Sequence, residues 1–346
     1  MVVRDVTLRD FRSYASLELV LSPGIVLVVG DNGAGKTNLL EAIHLATQGF
    51  SPRTRTDSRM IRSGQAAALA GLELSRGGVS HRIRVKLADG AGKTAELDGS
   101  RLASAESLRR EFPTLVFTPD RLAVVKGGPA VRRAYLDRVL ARVFPAQGGL
   151  PQEYAAALAQ RNASLRRVQL GLSPRPALEP WTARVASLGA LLVEARRETA
   201  ARLEPGFRSR LEEFGLPGGT LVYQGEPPSV AALEARLDAD VQRGTTGAGP
   251  HLDDLSITAG RELRGFGSQG EQRLGVLSLL LAEAELLSPP PLLLLDDVLS
   301  ELDSRRRLVL AEAVSGLGQT VITTTHAAQL PSEPSQIVEV TPGSAV

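Results

Sequence analysis

Apolar and polar residues alternate with period two near the N-terminus and again between residues 72 and 98, then shift to three- and four-residue steps over most of 129–216. The first pattern predicts strands at Val2–Arg9, Ser16–Leu21 and Gly24–Val29, with Ser22-Pro23-Gly24 turning the chain between the last two. Helical spacing begins at Lys36 and lasts to about Gln48. In the second alternating stretch Ile83, Val85 and Leu87 interleave with Arg82, Arg84 and Lys86. Gly77-Gly78 and Asp89-Gly90 punctuate it, which predicts a small antiparallel meander. A helix over Ala103–Glu111 and a short buried strand over Thr114–Phe117 follow.

Trp181, Val185, Leu188, Leu192, Ala195 and Thr199 share one helical face. Breaks expected at Pro145, Gly148-Gly149, Ser173-Pro174 and Pro205-Gly206 divide 129–216 into several helices, a compact insertion rather than a long coiled coil. Strand character returns at Thr220–Gln224 and Leu255–Thr258, with a helix near Val230–Arg243 between them. A helix over Glu271–Leu287, a strand over 291–295, a helix over 303–315 and a strand over Thr320–Thr324 complete a βαβ series.

Composition narrows the class. Hydrophobic residues make up 43% of the 346 and charged residues 23%, ordinary for a globular chain. There is no cysteine, which excludes disulfides and thiolate metal sites. Asp5 and the short apolar runs around it do not read as a signal peptide, and no apolar stretch has membrane-spanning length. A soluble, cytoplasmic protein with no membrane association is expected. Net charge is only +2, but basic residues cluster. Arg132, Arg133, Arg138, Arg142, Arg161, Arg166 and Arg167 stand against Asp137 and Glu153, and Arg53, Arg55, Arg59 and Arg62 against Asp57. Such clusters suit a polyanion or simply a solvated helix face.

The chemistry sits in two distant segments. Gly30-Asp31-Asn32-Gly33-Ala34-Gly35-Lys36-Thr37 matches GxxxxGK[ST] between the apolar run 25–29 and a helix that begins with Asn38 close to its start. A turn of this kind aims successive backbone N–H groups, and the helix's positive end, at phosphates. Lys36 would reach the β- and γ-phosphates and Thr37 would ligate magnesium. Gly92-Lys93-Thr94 also spells GKT, but Leu87 stands where the upstream glycine is required, so it is not a second loop.

Far downstream, Leu292–Leu295 ends in Asp296 and Asp297. Two carboxylates after an apolar strand need a cation, a solvent-facing cleft or a turn to cap. Asp296 would hold magnesium and Asp297 would act as general base on water. Ser268 and Gly270, ahead of the helix at Glu271, form a second anion-binding helix start. Two such sites in one chain suggest a head-to-tail homodimer that encloses each nucleotide between one copy's Lys36 loop and the other copy's Ser268 turn. His326, after the last strand, either reaches a γ-phosphate or lies on the surface.

These segments, in this order, resemble ABC-type ATPases, and the chain as a whole resembles the RecF family, the short relatives of the SMC ATPases. Phe11-Arg12-Ser13-Tyr14, the phosphate loop through Ile43, Val116-Phe117-Thr118-Pro119-Asp120, Arg132-Arg133, Gln160-Arg161-Asn162, Gly249–Leu255 and Gly267–Arg273 carry the likeness. The resemblance implies an α/β ABC-type ATPase head, with mixed sheets around a phosphate-loop core. That head would be built from 1–125 and 245–346 and interrupted by a mainly helical insertion at 126–244.

It also implies an ATP- and magnesium-dependent protein of recombinational repair. Such a protein binds double-stranded DNA near gaps and junctions as an ATP-induced homodimer, with weak, DNA-stimulated hydrolysis. RecR and RecO would be partners, and RecA the recombinase it helps load. Arg12 matches an arginine that approaches the nucleotide in SMC-like heads. Arg53, Arg55, Arg132, Arg133, Arg161 and Arg166 are the candidate DNA contacts.

Some positions depart from the pattern. Leu252 stands where the family more often has arginine, and Gln269 takes the place of a glycine of transporter signatures. No glutamine follows Phe117 as a Q-loop would require, and Asp120 is the nearest polar residue. His251, Asp253 and Asp254 suggest a metal site or, better, a loop-stabilising or DNA-side cluster. The alternative function is the ATP-hydrolysing subunit of a membrane transporter; the helical insertion and the absent Q-loop glutamine argue against it. An SMC-type cohesion role would need far longer heptad runs. No Asn-Lys-x-Asp element supports GTP; the asparagines are Asn32, Asn38 and Asn162.

Overall fold

The computed structural model describes residues 1–118 and 122–346, so the expectation placed on Asp120 lies outside the described residues. The chain begins with β1 (Val2–Phe11), β2 (Tyr14–Val20), β3 (Ile25–Val29) and α1 (Lys36–Gln48). β4 (Ala67–Arg76), β5 (Val79–Ala88), β6 (Gly92–Leu97) and β7 (Ser100–Arg101) form the meander, followed by α2 (Leu108–Glu111) and β8 (Thr114–Phe117). The helical part holds α3 (Ala123–Lys126), α4 (Pro129–Val143), α5 (Leu150–Gln169) and α6 (Glu179–Glu213). Next come β9 (Gly219–Gln224), α7 (Val230–Glu234), α8 (Leu237–Arg243), β10 (Asp254–Ala259), β11 (Arg261–Glu262), α9 (Leu263–Phe266) and α10 (Gln269–Leu286). The chain closes with β12 (Leu292–Leu295), α11 (Ser304–Ser315), β13 (Thr320–Thr324), β14 (Gln336–Thr341) and β15 (Ser344–Ala345).

Two compact units emerge, Met1–Arg121 with Leu287–Val346, and Leu122–Leu286. In the first, an antiparallel sheet runs β2-β1-β4-β5-β6-β7 and a second sheet runs β15-β14-β3-β13-β12-β8, parallel from β14 to β8. Leu292 to Leu295 are all buried, as central parallel strands require. Leu39, Ile43, Val85, Leu72, Val28 and Leu294 belong to one apolar cluster, so α1 is clamped in the core that both sheets share. The parallel register sets Leu295 beside Ile322 and Thr324 beside Val29, which brings the carboxyl ends of β3, β13 and β12 to one edge.

The second unit is longer than the expected insertion 126–244. β10 pairs antiparallel with β9, Leu255 opposite Tyr223 and Ile257 opposite Leu221, so the chain beyond 244 is bound to what precedes it. Gly206 lies against Ala282 of α10: a Cβ there would approach the Ala282 methyl to 3.2 Å, so α10 belongs to the same unit as α6. The break expected at Pro205-Gly206 does not occur, because α6 runs unbroken through Pro205. Burial of Leu203, Phe207 and Leu211 on either side outweighs the roughly 3 kcal/mol an interior proline costs. The helix expected at Ala103–Glu111 shrinks to a 3₁₀ turn and one turn of α-helix, and the one near Val230–Arg243 divides into α7 and α8.

Candidate functional site

The phosphate loop bends through two left-handed glycines, Gly33 at φ 83° and Gly35 at φ 122°. Space around Gly33 is open, whereas a Cβ on Gly35 would come within 2.9 Å of the Tyr14 hydroxyl. Only glycine therefore satisfies both backbone and packing at position 35. Tyr14 donates to the Gly35 carbonyl (3.2 Å) and Asn38 Nδ2 donates to Ser13 Oγ (3.0 Å), so the turn between β1 and β2 braces the loop from below. Burial raises the Tyr14 hydroxyl to about 12, which keeps it a neutral donor.

Lys36 is buried, and its Nζ donates to the carbonyls of Gly30 (2.6 Å) and Asp31 (2.9 Å). No carboxylate pairs with it among the described residues, so the loop carries an uncompensated ammonium. That is the donor set a polyphosphate needs. Asp31, Asn32 and Gly33 are exposed, Ala34 is buried, and Gly30 and Thr37 are half-buried at the strand and helix junctions.

Thr37 leads directly to the acidic pair. Its hydroxyl donates to Asp296 Oδ1 at 2.9 Å, and the Thr323 hydroxyl donates to the same oxygen at 2.8 Å. Thr323 Oγ in turn accepts the Asp297 N–H at 2.9 Å, fixing both carboxylates from the neighbouring strand. Burial pushes Asp296 above the usual carboxylate range, against the two hydroxyl donors that pull it down. Asp297 adopts left-handed backbone at φ 50°, a conformation that costs a non-glycine residue about 1 kcal/mol or more and is concentrated at working sites. Among the described residues its buried Oδ1 has no hydrogen-bond partner. An orphaned carboxylate oxygen beside a threonine-bound aspartate fits a site for a hard divalent cation and a polarised water. His326 is exposed just past β13, where its carbonyl starts a 3₁₀ turn.

Arg12 is committed differently from the expectation. Its Nε and Nη2 grip the Glu41 carboxylate at 2.8 and 2.7 Å and Nη1 donates to the Arg59 carbonyl, so all three nitrogens have protein partners. Glu41 is buried on α1 and also receives Ser51 and Arg53. Glu41 and Thr323 were not singled out from the sequence. An acid inside the apolar run of a helix was a usable signal for the first; a threonine at a strand end was too common a sign for the second.

In the second unit, Ser268 and Glu271 cap α10 reciprocally. Ser268 Oγ accepts from the Glu271 N–H (3.2 Å) and Glu271 Oε2 accepts from the Ser268 N–H (2.6 Å). The same backbone bond holds the Glu271 carboxyl low, and Arg261 adds an ion pair at 3.0 Å. Ser268, Gln269 and Gly270 are exposed, and space around Gly270 is open. Two residues earlier stands Phe266, 68% exposed and the one exposed phenylalanine among the described residues.

Several candidate DNA contacts are corrected. Arg161 is fully buried; its Nη1 donates to Asp240 (2.9 Å) and Thr246, and its Nε to Thr182. Arg132 is 3% exposed and bidentate on Asp254 at 2.6 and 2.7 Å. Neither side chain is accessible to a phosphate. Arg133 is half-buried and donates to the Asp253 carbonyl, and Arg53 turns toward Asn38 and Glu41 beside the phosphate loop. Arg55 and Arg166 are exposed.

The segment at 249–254 is a clamp within the second unit. His251 Nε2 donates to the Thr246 carbonyl (3.0 Å), which leaves Nδ1 to accept from Tyr154 (2.8 Å). Tyr223 donates to Asp253, and Arg196 donates to the Pro250 carbonyl. No metal-ligating group of three or more is found among the described residues.

The family model described as the RecF/RecN/SMC N terminal domain matches residues 2–345. The protein "DNA replication and repair protein RecF" of Anaeromyxobacter dehalogenans strain 2CP-C is 40% identical, covering 94% of this chain and 92% of its own. The chain belongs to the RecF family. A RecF of Synechococcus strain JA-3-3Ab is 35% identical over the same shares. A solved RecF, described as the recombination mediator with ATP in the RecFOR pathway, superposes with a TM-score of 0.86 at 26% identity, covering 100% of this chain and 97% of that one. The SMC head bound to the winged-helix domain of ScpA shares the fold (TM-score 0.63, 17% identity) over 100% of this chain and 96% of its own. The ABC-type, SMC-head-like α/β fold expected from the sequence is therefore the observed one. No described helix is long and apolar enough to cross a membrane.

Proposed function

We propose that this RecF-family protein is a cytoplasmic ATPase of recombinational repair that closes on double-stranded DNA, near gaps or junctions, as an ATP-induced homodimer. The observation that carries the reading is the Thr37–Asp296–Thr323–Asp297 chain, which joins the phosphate loop to a buried carboxylate and a strained, orphaned one. The loop amides and Lys36 bind the triphosphate. Asp297 accepts a proton from the attacking water. Thr37 and Asp296 would hold magnesium, which supplies charge neutralisation at the β- and γ-phosphates.

Ser268 and the open N-terminus of α10 serve the nucleotide of the second copy, with Phe266 as an apolar anchor in the same interface. His326 is the candidate γ-phosphate contact. Arg12 acts on the site by fixing Glu41 and thereby α1. Family membership and the RecFOR context of the solved relative support recognition of the RecR and RecO class of mediators and assistance to RecA at gaps.

The test is ATP turnover with and without double-stranded DNA across a range of protein concentrations. DNA stimulation and a per-subunit rate that rises with concentration are expected. A rate indifferent to both would remove the DNA-coupled dimer reading.

A further inference from the structure

Helix α5 ends in a turn that displays two leucines. Leu170 N–H donates to the Arg166 carbonyl, Gly171 N–H to Val168 and Leu172 N–H to Arg167 at 2.8 Å, around a left-handed Gly171 at φ 71°. At helix ends of this type the residue after the glycine ordinarily folds its apolar side chain back on the helix. Here Leu172 is 67% exposed and Leu170 is 70% exposed. The turn is stiff: three backbone bonds close it, Pro174 follows, and Gln169 Nε2 donates to the Gln242 carbonyl at 2.7 Å. Two apolar side chains are thus held in water on a backbone whose ordering cost is already met.

Along the chain, the residues flanking them carry charge of one sign. Gln160 to Pro176 carries Arg161, Arg166, Arg167 and Arg175 and no acidic residue. Arg161 and Arg175 are neutralised by Asp240 and Asp238. Arg166, Arg167 and the nearby Arg243 are exposed and make no ion pair among the described residues. Gly244 lies against the Arg166 side chain, so Arg243 belongs to the same tip.

We infer that this tip reads DNA at a discontinuity, with Leu170 and Leu172 packing on bases left unstacked at a gap while Arg166, Arg167 and Arg243 take the flanking phosphates. Apolar wedges flanked by arginine are how proteins grip a disrupted base step. Unstacking an intact step costs free energy that a gap has already spent, so the wedge favours gapped over continuous duplex. The arginines serve both forms alike, because phosphates carry no record of the gap. The inference rests on the reading that the chain binds DNA.

The experiment measures affinity, with ATP and magnesium present, for two fluorescent duplexes of equal length, one continuous and one gapped, over a salt series. The wild-type protein is expected to bind the gapped form about tenfold more tightly. Leu170→Ser with Leu172→Ser should abolish that preference while leaving continuous-duplex affinity and salt slope unchanged. Both positions are largely exposed, and a thermal melt checks that the variant is folded. Arg166→Gln with Arg167→Gln should weaken binding to both forms and lower the salt slope by about 2. If the leucine variant keeps the gap preference, or the wild type has none, the tip does not read discontinuities and the leucines are free to serve a protein partner. Should the wild type bind neither duplex, the DNA reading itself fails.

Discussion

Thr37 and Asp296 share a hydrogen bond of 2.9 Å although 259 positions separate them in the chain. The bond links the first turn of α1 to the end of β12, so the phosphate loop and the acidic pair are set by a single contact that also passes through Thr323.

Asp296 gives the pH prediction. Its proton is held more tightly in the native state than in the unfolded chain, because burial disfavours the charge. Its contribution to stability is fullest below the ordinary carboxylate range and declines as pH rises through the elevated pKa. Asp296→Asn keeps an acceptor for Thr37 and Thr323 and removes the buried charge. In the absence of nucleotide it should melt a few degrees higher at neutral pH, by about 3 °C, with the gain vanishing in acid. Magnesium should stabilise the wild type and not the variant. Calorimetry between acid and neutral pH checks both; a variant that melts lower at neutral pH would contradict the burial argument.

Lys36→Ala should lower nucleotide affinity by roughly 100-fold, since the loop loses the one charged donor it holds for phosphate. Titration of a fluorescent ATP analogue measures it. Retained affinity would mean the backbone amides suffice and Lys36 is held for the loop's own carbonyls.

Asp297→Asn should bind ATP normally and hydrolyse it about 100-fold or more slowly, the loss typical of a missing general base. Single-turnover kinetics separate the two effects. An unchanged chemical rate would shift the role of base to another residue and leave the strained backbone of Asp297 without a catalytic explanation.

Arg161→Met should destabilise the protein by about 3 kcal/mol or more, because it abandons a fully buried Asp240. Where the variant remains folded, DNA affinity should be unchanged. Urea unfolding and DNA titration on the same sample distinguish this structural arginine from the phosphate contact its sequence position suggested.

That reversal marks the boundary of what the sequence discloses. The phosphate loop was legible because its geometry is local: two left-handed glycines and a helix start lie within eight residues. Asp296 and Asp297 were legible because charge after four leucines is conspicuous. The capping of α10 was legible in principle from the Ser268-x-x-Glu271 spacing. Arg132 and Arg161 were not, because their burial depends on partners 122 and 79 positions away. Likewise Pro205 signals a break unless neighbouring packing overrides it, and the extent of the second unit is settled by the β9–β10 pairing rather than by composition.

Ser268→Arg tests whether the site is completed by a second copy. Ser268 is exposed at the start of α10 beside the exposed Phe266, so a larger cation there disturbs no core. Each variant monomer should bind ATP with wild-type affinity through its own Lys36 loop. The added side chain should block the second copy's nucleotide, so that ATP no longer induces dimers and turnover falls at least 100-fold. Light scattering and turnover measure the two losses. Mixing Ser268→Arg with Lys36→Ala then gives heterodimers with one intact loop facing one intact turn. Such a mixture should regain a measurable part of the wild-type rate, though neither variant is active alone. No recovery, with both variants folded and Ser268→Arg binding ATP, would place the two halves of the site in the same chain. Normal ATP-induced dimers of Ser268→Arg would remove the α10 start from the interface.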